Sequence, residues 1–222
     1  MSEMITKNQI VSLVKAARSN AHKRNFKQSF ELIITLKDID FKKQNVAINE
    51  VIPLPFYSGQ QPKICFICGG DLALRAKKAG VDLVLEPEQL DKLQGNKKEV
   101  KRLSKEYDFF FADPTMMARV GKILGQFLGP TGKMPTPVPP NMPIENMITR
   151  FRNSVRARTR SQLSVATKVG SEELDDEKIA ENILTVYNTI ERKLPQGEKN
   201  IKRIYVKLTM SKPLNMSVGV KE

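Results

Sequence analysis

The chain of 222 residues has no tryptophan, one histidine and two cysteines, and only 6% of its residues are aromatic. Each scarcity excludes something. A single histidine, His22, rules out a histidine metal cluster or a Ser-His-Asp triad built by this chain alone. Two cysteines cannot staple a secreted scaffold. Cys65 and Cys68 have C-x-x-C spacing, but they fall in a short apolar strand pattern. Residues three apart in a strand point to opposite faces, so they are expected to be buried and structural, without a disulfide or a shared metal. No apolar run approaches the roughly 20 residues that span a bilayer. The N-terminus, MSEMITKNQ, lacks the apolar core of a signal peptide, which predicts a soluble, cytoplasmic protein.

What the chain has in excess is positive charge. Lys and Arg number 37 against 24 Asp and Glu, giving a formal charge of +13. A surplus of that size points to a polyanionic partner, most commonly nucleic acid. The basic residues are spread along the whole chain, so the fold must gather them.

Hydrophobic rhythm changes twice. At the N-terminal end, Thr6 to about Asn20 reads as a helix opened by a Thr6/Gln9 capping box, with Ile10, Leu13, Val14 and Ala17 on one face. Ser29 to Leu36 alternates as a half-buried strand. Val46 to Ile52 suggests a second strand, and Phe56 to Lys63 a linker or hinge. In the middle, short apolar runs (Ile64–Ile67, Val81–Leu85, Phe109–Ala112) alternate with helical stretches, the pattern of βαβ units around a parallel sheet. Asp113 and Pro114 mark a helix start, and Ile144 to about Arg152 is helical. The final part has strand-like segments at Ser154–Gln162 and Val165–Val169. It then has an acid-opened helix over Leu174–Leu194 and an alternating strand over Ile201–Met210.

The two ends share a style and neither closes a core alone. The expected architecture is an α+β domain formed by both termini (1–61 and 154–222), with an inserted α/β, Rossmann-like three-layer domain (62–153). Two chain crossings would then permit hinge motion.

Marks of catalysis are few. Gly69-Gly70-Asp71 follows the first middle strand but is neither G-x-G-x-x-G nor a Walker loop. Gly121, Gly125 and Gly129 recur every four residues and predict a closely packed helix face. Asp175 and Asp176 are explained by helix capping. No catalytic residue, metal ligand or cofactor is expected. A nucleotide-dependent enzyme built on the middle segment is the alternative, and an RNA chaperone a third reading.

Nucleic-acid chemistry fits better. Lys23, Arg24, Phe26 and Lys27 interleave cations with an aromatic, suited to phosphate contact and stacking. Arg156, Arg158 and Arg160 share one strand face. Leu128–Val138, LGPTGKMPTPV, holds three prolines and two glycines; it predicts a stiff, shaped loop after a helix ending near Phe127.

LGPTGKMPTPVPPN at 128–141, KRNFKQSFELIITL at 23–36, GDLALRAKKAG at 70–80, KEYDFFFADP at 105–114, KVG at 168–170, DDEKIAENI at 175–183 and IYVKLTM at 204–210 together resemble the universal large-subunit ribosomal protein L-one family, in its archaeal form. The resemblance implies binding to the mobile side stalk of large-subunit ribosomal RNA near the tRNA exit site. It also implies assistance in releasing deacylated tRNA, translational repression through the protein's own mRNA, and a monomer when free. By position it implies an RNA surface of Phe26, Ser29, Glu31, Lys168, Thr209, Met210 and Ser211. Gly132, Lys133 and Met134 form the signature loop, whose part in RNA binding the resemblance leaves open. Two residues depart from the family pattern: Ser211 stands where glycine is usual, and Thr131 where arginine is usual.

Overall fold

The computed structural model describes residues 5–39, 48–56, 59, 61–139, 142–159 and 162–217. The fold is mixed α/β, with one antiparallel and one parallel four-stranded sheet and a separate two-stranded pair. Contacts divide the chain into two compact units, Met1–Gln60 with Asn153–Glu222, and Gln61–Arg152.

In the first unit, α1 (Lys7–Ser19) begins where the Gln9 side-chain oxygen accepts the Thr6 backbone N–H at 2.9 Å. The expected capping box thus forms. Strand β1 (Ser29–Leu36) buries every second residue. It lies between β8 (Ser164–Ser171) and β9 (Ile201–Leu208), and β9 in turn pairs with β10 (Leu214–Ser217), all antiparallel. Strands β2 (Asn49–Pro53) and β7 (Ser154–Arg158) make the two-stranded pair. One face of the four-stranded sheet carries Phe30, Leu32, Ile34, Val206 and Leu208 into a core with Ile10 and Val14 of α1. Ile179, Ile183, Val186 and Ile190 of α7 (Asp176–Lys193) complete that core. Each such side chain contributes roughly 1.5–3 kcal/mol on burial.

Two polar clamps fix the helices. Arg18 donates to the Asp176 carboxylate at 2.8 Å, to Leu174 O at 2.7 Å and to Glu172 O, and lies over the Phe30 ring. Fully buried Asn182 donates to Val169 O and Phe56 O and accepts from Phe56 N, tying the chain after β2 to α7.

In the second unit, β4 (Leu83–Leu85), β3 (Ile64–Ile67), β5 (Phe109–Ala112) and β6 (Thr136–Pro137) lie in that order, all parallel. Helices α2 (Gly70–Lys78), α3 (Pro87–Lys92), α4 (Lys97–Glu106), α5 (Met117–Thr131) and α6 (Ile144–Arg152) alternate with them. Cys65, Ile67, Phe110 and Ala112 face a core with Leu90, Leu103 and Leu124 from α3, α4 and α5. Phe109 and Phe111 project the other way, where Phe151 of α6 packs edge-on against both rings at 5.1 and 4.7 Å. Burial on both faces is why these strands read as continuous apolar runs rather than alternating ones. Cys65 and Cys68 are both free and buried, and Cys68 falls just past the end of β3. Burial raises both thiols, Cys68 to about 12.

Four sequence expectations need correction. Leu128–Val138 is not wholly loop: α5 continues through Pro130 to Thr131. Proline in a helix loses an N–H and crowds the carbonyl four residues earlier, here that of solvent-exposed Gln126 at the last turn, where both costs are small. Gly132, at φ +70°, then closes the helix: its N–H reaches Gly129 O and the Lys133 N–H reaches Leu128 O, a Schellman ending. Thr136–Pro137 further on is an edge strand, a position that tolerates proline. Second, the Gly121, Gly125 and Gly129 stripe makes no close packing contact among the described residues. Among the described residues no atom beyond the helix's own backbone lies within 4 Å of a Cβ placed at any of them. Third, the last alternating strand stops at Leu208, leaving Thr209 and Met210 in a turn. Fourth, β10 follows that turn unannounced. Val46 and Arg160, and Tyr57, Ser58 and Gln60 of the expected linker, lie outside the described residues.

Candidate nucleic-acid interface

Where β1 begins and β9 ends, backbone and side chains interlock. The Thr209 hydroxyl accepts the Ser29 N–H at 3.1 Å and donates to Ser29 O at 3.3 Å. Its proton is therefore committed to the fold, and one acceptor lone pair is left. Ser211 Oγ accepts the Leu208 N–H at 2.8 Å, while the Ser211 N–H reaches Leu208 O at 3.0 Å. The hydroxyl that replaces the usual glycine thus folds back to close the turn.

Between these elements sits Met210, 59% exposed. Its N–H is held at 3.2 Å by the amide oxygen of Gln28, whose Nε2 donates to His22 O at 3.1 Å. The Gln28 carbonyl also accepts the Glu172 N–H. One amide, 2% exposed, therefore joins the Thr209–Ser211 turn to the loop that carries Phe26, 50% exposed. Phe26 does not staple the core. It stands in solvent with Lys23 and Arg24, while Lys27 pairs with Glu173 at 2.7 Å.

On the sheet face opposite the helices, Glu31 is flanked in register by Lys207 on β9 and Lys168 on β8. The two lysines differ. Lys207 lies 3.4 Å from the Glu31 carboxylate and donates to Thr209 O at 3.0 Å, so Glu31 orients a lysine that braces the turn. Lys168 has no hydrogen bond or ion pair among the described residues. It is half-buried, and burial lowers its pKa from the ordinary lysine value of 10.5. Part of that burial traces to Gly59, at φ +105°: a Cβ there would lie 2.9 Å from Ser171 Cβ and 3.8 Å from the Lys168 amine. An unpaired, partly desolvated cation on the same end of the sheet as the turn with its exposed thioether is arranged to receive an anion.

That arrangement has a pH signature. An anion holds the charged amine, so its affinity is complete below the Lys168 pKa and falls as pH rises through it, in a window beginning below 10.5. Titrating RNA binding from pH 7 to 10 at constant ionic strength will show this loss, and Lys168→Arg will remove it. An identical profile in the arginine variant would exclude Lys168 from the contact.

The structure thus brings Ser29, Glu31, Lys168, Thr209, Met210 and Ser211 together, with Phe26 on the adjoining loop. Gln28 and Gly59 escaped sequence reasoning: Gln28 reaches a turn far along the chain, and nothing local distinguishes it from any other glutamine. Gly132, Lys133 and Met134 lie in the second unit. There the Lys133 amine donates to Tyr107 O at 2.7 Å and Ser104 O at 3.0 Å, at the end of α4, with Asp108 at 3.6 Å. The basic residue of the signature loop is a helix cap, and Met134 is exposed. Thr131 donates to Phe127 O and Leu128 O in the same turn. Arg156 and Arg158 on β7 are half-buried and already engaged.

Comparison with known proteins agrees with these segments. The description "Ribosomal protein L1p/L10e family" matches residues 14–212. A protein of Cenarchaeum symbiosum called large ribosomal subunit protein uL1 is 45% identical over 214 residues, covering 96% of this chain and 98% of its own length. Proteins of the same name from Thermofilum pendens and Methanothermobacter thermautotrophicus are each 44% identical, covering 93% and 91% of this chain and 91% and 95% of their own lengths. With the match running through both compact units, the chain belongs to the ribosomal protein L1p/L10e family.

Proposed function

We propose that the protein is a non-catalytic constituent of the large ribosomal subunit that binds the mobile side stalk of its RNA. The relatives' name, large ribosomal subunit protein, supports the ribosomal part. The observation that carries the RNA part is Lys168, a half-buried lysine without a partner among the described residues, in the row with Glu31 and Lys207 that leads to the turn bearing exposed Met210. The first unit acts as the main RNA-binding domain (1–61 and 154–222), and the second as an inserted three-layer α/β domain (62–153). A surface fixed by Thr209, Gln28 and Ser211 is formed before RNA arrives, which lowers the ordering cost of binding. Phosphate contacts supply salt-sensitive affinity, while 2′-hydroxyl and shape contacts supply the preference.

Stalk binding next to the tRNA exit site would let the protein assist release of deacylated tRNA. A similar RNA fold in its own message would make it a translational repressor. It works as a monomer when free, in the cytoplasm and on the ribosome. Among the described residues no helix is long and apolar enough to cross a membrane.

The test is a salt series with a ribosomal stalk fragment and a scrambled duplex of equal length. A preference for the stalk of roughly a thousandfold or more, persisting at high salt, is expected. Equal affinities that collapse with a steep salt slope would reduce the protein to a basic polyanion binder.

A further inference from the structure

Among the described residues, the four-stranded sheet buries one face only. On its other face, cross-strand register sets Asn215, Tyr205, Ile33 and Ala166 in one row. None of these four belongs to the core, and among the described residues the Tyr205 hydroxyl has no hydrogen-bond partner. The row on one side is Lys207, Glu31 and Lys168. The row on the other holds Arg203, Thr35 and Ser164. Arg203 is exposed, and its guanidinium has no partner among the described residues; its backbone pairs within the sheet, its carbonyl also accepting from Thr35 Oγ1 at 3.0 Å. A tyrosine ring on a partly apolar strip therefore lies one row from Arg203 on its own strand, while Lys168 lies one row to the other side but two strands across, on β8.

We infer that this open sheet face binds a single-stranded RNA segment, with one unpaired base stacked on Tyr205, a neighbouring phosphate held by Arg203 and a phosphate further along the segment held by Lys168. The inference rests on the RNA-binding reading above and extends it to the sheet face itself. Three features favour RNA over a protein partner. The strip runs without a break from the Lys168 row. Its flanking free charges are both positive, in a chain of charge +13. Successive outward residues of a strand are also roughly 7 Å apart, so Arg203 and Tyr205 offer a cation and a ring in succession along β9, with Lys168 a further row along and two strands across. Aromatics on an open four-stranded sheet are a general solution for stacking unpaired bases, since every base has a π-face. A structured duplex could not use Tyr205 in this way, because its bases are already stacked.

The experiment uses the full chain and two probes, hexauridylate and the stalk fragment. Wild-type protein should bind hexauridylate at low salt with quenching of tyrosine fluorescence. Tyr205→Ala should weaken that binding about tenfold and abolish the quenching, while Tyr205→Phe keeps the affinity, because the ring does the stacking. Tyr205 is half-buried and outside the core, and an unchanged thermal melt will confirm that both variants are folded. Equal hexauridylate affinity in Tyr205→Ala and wild type would overturn the inference. So would equal losses in the alanine and phenylalanine variants, which would assign the effect to the hydroxyl. Either result with stalk preference intact leaves the functional reading standing. Loss of stalk preference in the wild type itself would be the separate failure of that reading.

Discussion

Replacing Gln28 by leucine will weaken binding to stalk RNA roughly 30-fold while changing binding to a scrambled duplex by less than threefold. Leucine fills much the same space, so the substitution mainly deletes two hydrogen bonds. It leaves the His22 carbonyl and the Met210 N–H without their partner in a site that is 2% exposed. Each orphaned group costs about 1–3 kcal/mol. The fold can avoid that cost by letting the Phe26 loop and the Thr209–Ser211 turn move apart until water reaches both groups. What is then lost is the fixed relation between Phe26, Met210 and Lys168, and RNA must supply the ordering. About 2 kcal/mol of ordering corresponds to the 30-fold loss. Gln28→Glu is the informative partner. It keeps an acceptor for Met210 but loses the donor to His22, so its affinity should fall between the two. Stalk affinity in Gln28→Leu within threefold of wild type would mean that the amide organises nothing RNA needs.

Lys133→Met will destabilise the second unit by about 2–3 kcal/mol and leave stalk affinity at room temperature within twofold of wild type. The methionine retains the apolar stem, but the ammonium that caps α4 through Ser104 O and Tyr107 O is gone. Hydrogen bonds from a charged donor contribute about 1.5–3 kcal/mol, and a cation at a helix C-terminus adds attraction to the helix dipole. In a unit of this size that is roughly 10 °C or more of melting temperature. A tenfold loss of RNA affinity without a change in melting would show instead that Lys133 is a contact residue.

These two residues mark where sequence reading succeeds and fails. The β1 alternation, the Thr6/Gln9 box and the apolar runs of β3 and β5 were legible because each expresses one local periodicity and one burial pattern. The change in rhythm between ends and middle likewise reflects antiparallel and parallel sheets. Pro130 misled because helix cost depends on position: the penalty for proline nearly vanishes in an exposed last turn. The glycine stripe misled because spacing tells which residues share a face, not whether anything lies against it. Of the candidate site, the basic stretch around Phe26 was legible from residue types; the rest was legible only through the family resemblance. Met210, taken alone, is an unremarkable methionine. Its meaning comes from Gln28 at the other end of the chain, and no local pattern encodes a contact over that separation. Lys133 is the converse, a residue in the most conspicuous segment whose partners lie on another helix.

The buried thiols of the second unit give the protein a clock that needs no label. With Cys65 and Cys68 shielded and their protons held tightly, the folded chain is inert towards electrophiles that seek thiolates. Modification then waits on opening of the second unit, so its rate counts those openings. The same silence makes the native chain a clean background: a single cysteine placed at exposed Leu74 or Met134 will be the fastest-reacting thiol, and a probe attached there will report on the second unit alone.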